Sequence, residues 1–73
     1  MSLPLLLSTY RRTPIGEAEW VLPDGKQSLE EFQVVVAAAE AWEFIGHIKI
    51  IEIREENRTG RRLIDAVRIR RLR

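Results

Sequence analysis

Residues 28–70 read SLEEFQVVVAAAEAWEFIGHIKIIEIREENRTGRRLIDAVRIR, and a change of hydrophobic period inside this stretch decides the fold. Ser28 and Glu31 stand in the S-x-x-E spacing of a capping box. The serine hydroxyl accepts from the N3 amide while the glutamate reaches back to the serine amide. Glu30 and Glu31 also occupy the first turn, where the helix dipole favours negative charge. Leu29, Phe32, Val36, Ala39, Trp42 and Ile45 follow at intervals of three and four, and Val35, Ala38 and Ala41 widen the stripe. The pattern predicts a helix over about 29–45, ended by Gly46 as its left-handed cap. Only Glu30, Gln33, Glu40, Glu43 and His47 mark a polar side, so most of its surface should be covered.

After Gly46 the period becomes two. Residues 48–56 and 61–70 read as the strands of a β-hairpin around Asn57-Arg58-Thr59-Gly60, with Gly60 supplying the positive φ of the turn. Pairing Glu56 with Arg61 sets Glu55 opposite Arg62, Ile53 opposite Ile64, Ile51 opposite Ala66, Ile50 opposite Val67 and Ile48 opposite Ile69. One face then holds Ile48, Ile50, Leu63, Val67 and Ile69, and the other Ile51, Ile53, Ile64 and Ala66. Antiparallel hairpins usually leave one face wet. Here one face should pack on the helix, and the other needs cover from Leu3–Tyr10, as a strand or a short helix after Pro4, or from another molecule. Thr13-Pro14 and Pro23-Asp24-Gly25-Lys26 bracket a short middle strand within 15–22, whose alternation of Glu17 and Glu19 against Ala18, Trp20 and Leu22 suits a sheet edge. The expected fold is α+β: one main helix on a small antiparallel sheet, in a single domain over 1–73.

With 73 residues the chain has room for one core, and a deep catalytic cleft is not expected. Without cysteine there is no thiolate nucleophile, disulfide or Cys-based metal site, and the single histidine rules out a histidine pair within one chain. No cofactor and no enzymatic activity are expected. The longest apolar run near the start, Leu5–Leu7, falls short of a signal-peptide core or a membrane span, which makes the cytoplasm the default location. The formal charge of +1 conceals a segregation. Residues 1–57 carry five basic and ten acidic side chains, while residues 58–73 carry seven arginines and one aspartate. The chain is electrically polar along its length.

Arg58, Arg61, Arg68, Arg70, Arg71 and Arg73 are the candidate phosphate contacts, because guanidinium groups on a hairpin offer bidentate donors and displace counterions from a nucleic-acid backbone. Arg62 is assigned instead to Glu55 across the hairpin. Ile51, Ile53, Ile64 and Phe44 are the candidate association surface: an apolar second face and an aromatic anchor of the kind enriched at interfaces. Glu52 and Asp65 fall opposite each other, where Arg54 can neutralise them. His47, just past the helix end, suits an interaction with the last helical carbonyls.

The run from Ala38 to Ile50, a helix passing through Gly46-His47-Ile48-Lys49-Ile50 into a charged turn and a second strand, resembles the end of winged-helix domains, over roughly residues 32–72. The resemblance implies a helix that reads a DNA groove beside a wing hairpin. Residues 13–27, with two prolines and two glycines, leave little space for the helix that precedes the recognition helix in that family, and Glu30, Glu40 and Glu43 would repel phosphate. A nucleic-acid role therefore has to rest on the arginine hairpin. The leading expectation is a non-catalytic protein-interaction module, self-associating, with nucleic-acid binding as the alternative and no membrane partner.

Overall fold

The computed structural model of the chain describes residues 3–73; Met1 and Ser2, part of the single expected domain, lie outside the described residues. The elements run α1 (Leu3–Arg12), β1 (Ala18–Val21), α2 (Leu29–Phe44), β2 (Ile48–Glu55) and β3 (Ile64–Arg71). The three strands form one antiparallel sheet in the order β1-β3-β2, so the arginine-rich last strand is central. This is the expected α+β architecture, with a C-terminal hairpin and a second helix.

The capping box forms as its spacing demands. Glu31 N–H donates to Ser28 Oγ at 3.1 Å and Ser28 N–H donates to Glu31 Oε1 at 3.0 Å. These bonds to Ser28 hold the Glu31 carboxyl below its ordinary value. Ile45 caps the other end and Gly46 follows with φ +88°.

Leu6, Val21, Phe32, Val35, Val36, Ala39, Ile48, Val67 and Ile69 make one core, with Leu5, Tyr10, Ala38, Trp42, Ile50 and Ile64 packed against it. Both helices thus cover the same side of the sheet. Leu6 and Thr9 of α1 and Thr13 just past its end are fully buried at helical spacing. The two threonines tolerate this because Thr9 Oγ1 donates to Leu5 O and Thr13 Oγ1 to Thr9 O, so neither hydroxyl is left unpaired.

The hairpin register differs from the sequence expectation. Ile48 lies opposite Arg71, Ile50 opposite Ile69, Ile53 opposite Val67 and Glu55 opposite Ile64, with irregularities between Ile50 and Glu52 and between Arg54 and Glu55. The tip is longer than a four-residue turn, because Glu56 N–H pairs with Leu63 O. Each bulge inserts a residue and reverses the in-out parity beyond it. Consequently Ile64 packs on the core, Ala66 is buried, and Ile53 sits opposite the buried Val67. The expected second apolar face does not exist. The outer face instead carries the cross-strand rows Trp20–Arg68–Glu52 and Ala18–Arg70–Lys49. In β1 the buried residue is Val21, opposite Val67, while Leu22 is exposed; the inward set expected there, Ala18, Trp20 and Leu22, belongs to the other parity.

Glu56 organises the tip. Its buried carboxylate accepts from Thr59 N–H, Thr59 Oγ1 and Leu63 N–H at 2.9, 2.9 and 3.1 Å. These donors, the Thr59 amide foremost, hold its carboxyl below the ordinary value of 4.5. A carboxyl lowered on folding stabilises the fold fully above that ordinary value and loses the contribution as pH falls through the lowered one. Glu56→Gln should therefore flatten the acid limb of the stability curve and speed amide exchange at Thr59 and Leu63. An acid limb identical to that of the wild type would contradict this.

Candidate functional site

The structure separates the six candidate arginines. Arg71 runs inward at the end of β3: its Nη1 donates to Thr13 O at 3.1 Å and Tyr10 O at 3.4 Å, and its guanidinium lies 4.3 Å from the centre of the Tyr10 ring. Arg73 reaches the other helix, donating to Ile45 O and Gly46 O, each at 3.1 Å. The C-terminal ends of α1 and α2 therefore converge on the end of β3. Their orphan carbonyls and negative dipole ends are met by two cations, and Tyr10 O–H donates to Arg73 O to close the cluster. These two arginines hold the fold together. Arg71→Ala should cost about 2 kcal/mol, the order of a charge-assisted bond with a cation–π contact. A thermal unfolding curve unchanged from the wild type would contradict that assignment.

Arg61 bonds Glu30 at 2.8 Å and ties the hairpin tip to the start of α2. Both side chains are exposed, so this pair contributes less than about 1 kcal/mol. Arg68 stands 3.8 Å from Glu52, and Arg54 bonds Asp65 at 3.0 Å, so Glu52 and Asp65 are answered by separate arginines rather than facing each other. Arg62 takes φ 56° in the tip and is not paired with Glu55, whose cross-strand neighbour is Ile64. Arg58 and Arg70 make no ion pair among the described residues. Arg70 faces Lys49 directly across the strands.

Of the association candidates, Ile64 is withdrawn into the core, Ile51 is half-buried at a bulge and Ile53 is 50% exposed. Phe44 is 92% exposed. It does not stand alone. The core takes Phe32, Val35, Val36 and Ala39 from α2, and the opposite side presents Val34, Ala37, Ala41 and Phe44. Ala41 and Ile45, expected to be inward, are exposed. Here the paucity of polar residues in α2 has its structural consequence: the helix is apolar on both sides, and the chain covers only one. A helix apolar all round is normally buried all round.

His47 joins an edge-to-face cluster with Tyr10 and Trp42, centroids 5.2–6.3 Å apart, and its Nδ1 has no hydrogen-bond partner among the described residues. Tyr10, Trp42, Ile45 and His47 line a hollow of about 210 Å³, below the roughly 300 Å³ at which small-molecule sites begin. Among the described residues no three His, Asp or Glu side chains are grouped to hold a metal ion, and no helix is long and apolar enough to cross a membrane. No protein-family model, curated protein or solved structure matches the chain.

Proposed function

We propose that this chain is a small non-catalytic module that binds protein, its own copies included, through the outer side of α2. The observation that carries the reading is the exposed apolar row Val34, Ala37, Ala41 and Phe44 on a helix whose other side fills the core. Exposed large apolar side chains gathered on one element mark interaction surfaces, and aromatic anchors dominate binding energy there. Amide spectra recorded along a dilution series test the location. Signals of Val34, Ala37, Ala41 and Phe44 should shift together with concentration while those of Ile53 and Arg70 stay in place. Shifts confined to the hairpin would move the surface there and defeat the assignment to α2.

A second reading, nucleic-acid contact, is favoured by the Lys49–Arg70 pair. Like charges directly opposite each other destabilise a sheet unless something anionic meets them. With Arg58 these side chains offer exposed cations to phosphate, so binding should be salt-labile, with a slope near −0.9 per phosphate contacted. In an oligonucleotide titration, Lys49→Glu with Arg70→Glu should abolish any affinity. Affinity undiminished in that variant would reject the hairpin as the contact.

A further inference from the structure

Resting on the second reading above, we infer that the outer face of the sheet takes an unpaired strand of nucleic acid, with one base stacked on Trp20 and its phosphates on Arg70 and Lys49. Both helices pack on the inner side of the sheet, which leaves the outer side without a covering helix or strand among the described residues. Trp20 stands on that outer side, in the edge strand β1, with Arg68 across from it and the small Ala18 two residues back on the same face. Phe32 lies in the core, and Tyr10 and Trp42 pack against it; Trp20 does neither, and its side chain is half-buried. A tryptophan placed there adds nothing to the core and presents part of its ring to a ligand.

The charge on this face has the sign that phosphate needs. Its two acids are answered, Asp65 by Arg54 and Glu52 by Arg68. Lys49 and Arg70 are exposed, directly opposite each other and without an ion pair among the described residues. The glutamates of α2, which would repel phosphate, lie beyond the sheet on its inner side. Because Arg68 is the cross-strand partner of Trp20, Arg70 is its diagonal neighbour, about 7–8 Å away. One nucleotide reaches that far from its base to its phosphate. A duplex keeps its base faces stacked inside, so only an unpaired strand lays a base on the ring while its backbone meets the cations.

Anisotropy of labelled oligouridylate and oligodeoxythymidylate, titrated with the full chain at low salt, tests the seating; binding of either strand supports it. Trp20→Ala should weaken binding by roughly 5- to 150-fold, the worth of one stacked base, and leave the salt slope unchanged. Trp20→Phe keeps an aromatic face and should hold within about threefold of the wild type, which guards against a mere loss of fold. Lys49→Gln with Arg70→Gln should instead lower the salt slope by about 2. Equal affinity for wild type and Trp20→Ala, or competition by duplex or by inorganic polyphosphate as strong as by the single strand, would overturn the stacking platform and leave contact with phosphate standing. No binding of any oligonucleotide by the wild type would overturn both.

Discussion

Phe32→Ala is expected to cost about 3–5 kcal/mol, the range for emptying a fully enclosed phenylalanine site. Phe32 is wholly buried and belongs to the core cluster. A domain of 73 residues has a total stability of roughly 4–11 kcal/mol at 0.05–0.15 kcal/mol per residue, so this change removes much or all of it. Phe44→Ala, on the same helix, should move stability by no more than about 0.5 kcal/mol, as for an exposed side chain in a free chain. Denaturant titration of both variants compares them directly. A comparable loss for Phe44, at a dilution where no association occurs, would mean that the exposed row belongs to the chain's own core.

The second large effect is expected at Gly46. Its φ of +88° lies where a side chain is strained, and a Cβ there would stand 2.7 Å from Arg73 Nη2. Gly46→Ala therefore costs left-handed strain of about 1–2 kcal/mol and also displaces the guanidinium from Ile45 O and Gly46 O. The sum, about 2 kcal/mol, lowers the melting temperature by roughly 10 °C in a domain of this size. The double variant with Arg73→Ala separates the two contributions, because only the backbone strain remains once the guanidinium is gone. Equal costs in both backgrounds would show that Arg73 takes no part in the cap.

Much of the architecture is written in local chemistry. Ser28 with Glu31, the three-and-four spacing through α2, Gly46 and Gly60 each act within a few residues of themselves, and all four appear where their chemistry demands. The register of β2 on β3 is not local in this sense. It depends on bulges near Ile51 and Asp65 that let Ile64 and Ile50 face the helices together, and nothing in an alternating pattern announces an inserted residue.

The arginines show the same limit from another side. No carboxylates stand near Arg71 and Arg73 in the strand sequence, so the sequence names no partner for either. Their partners are main-chain carbonyls at the ends of two helices, and carbonyls have no sequence signature. The exposed row on α2 is half legible in the sequence: the shortage of polar residues announces a covered helix and Phe44 suits an interface anchor, but periodicity does not say which apolar residues the core claims.

Association through α2 is read out by sedimentation of the wild type and of Phe44→Asp at concentrations from low to high micromolar. The wild type should be heavier than its single-chain 8.5 kDa, rising toward twice that mass, and the folded variant should stay at 8.5 kDa throughout. A wild type that remains at 8.5 kDa over the whole range would contradict it.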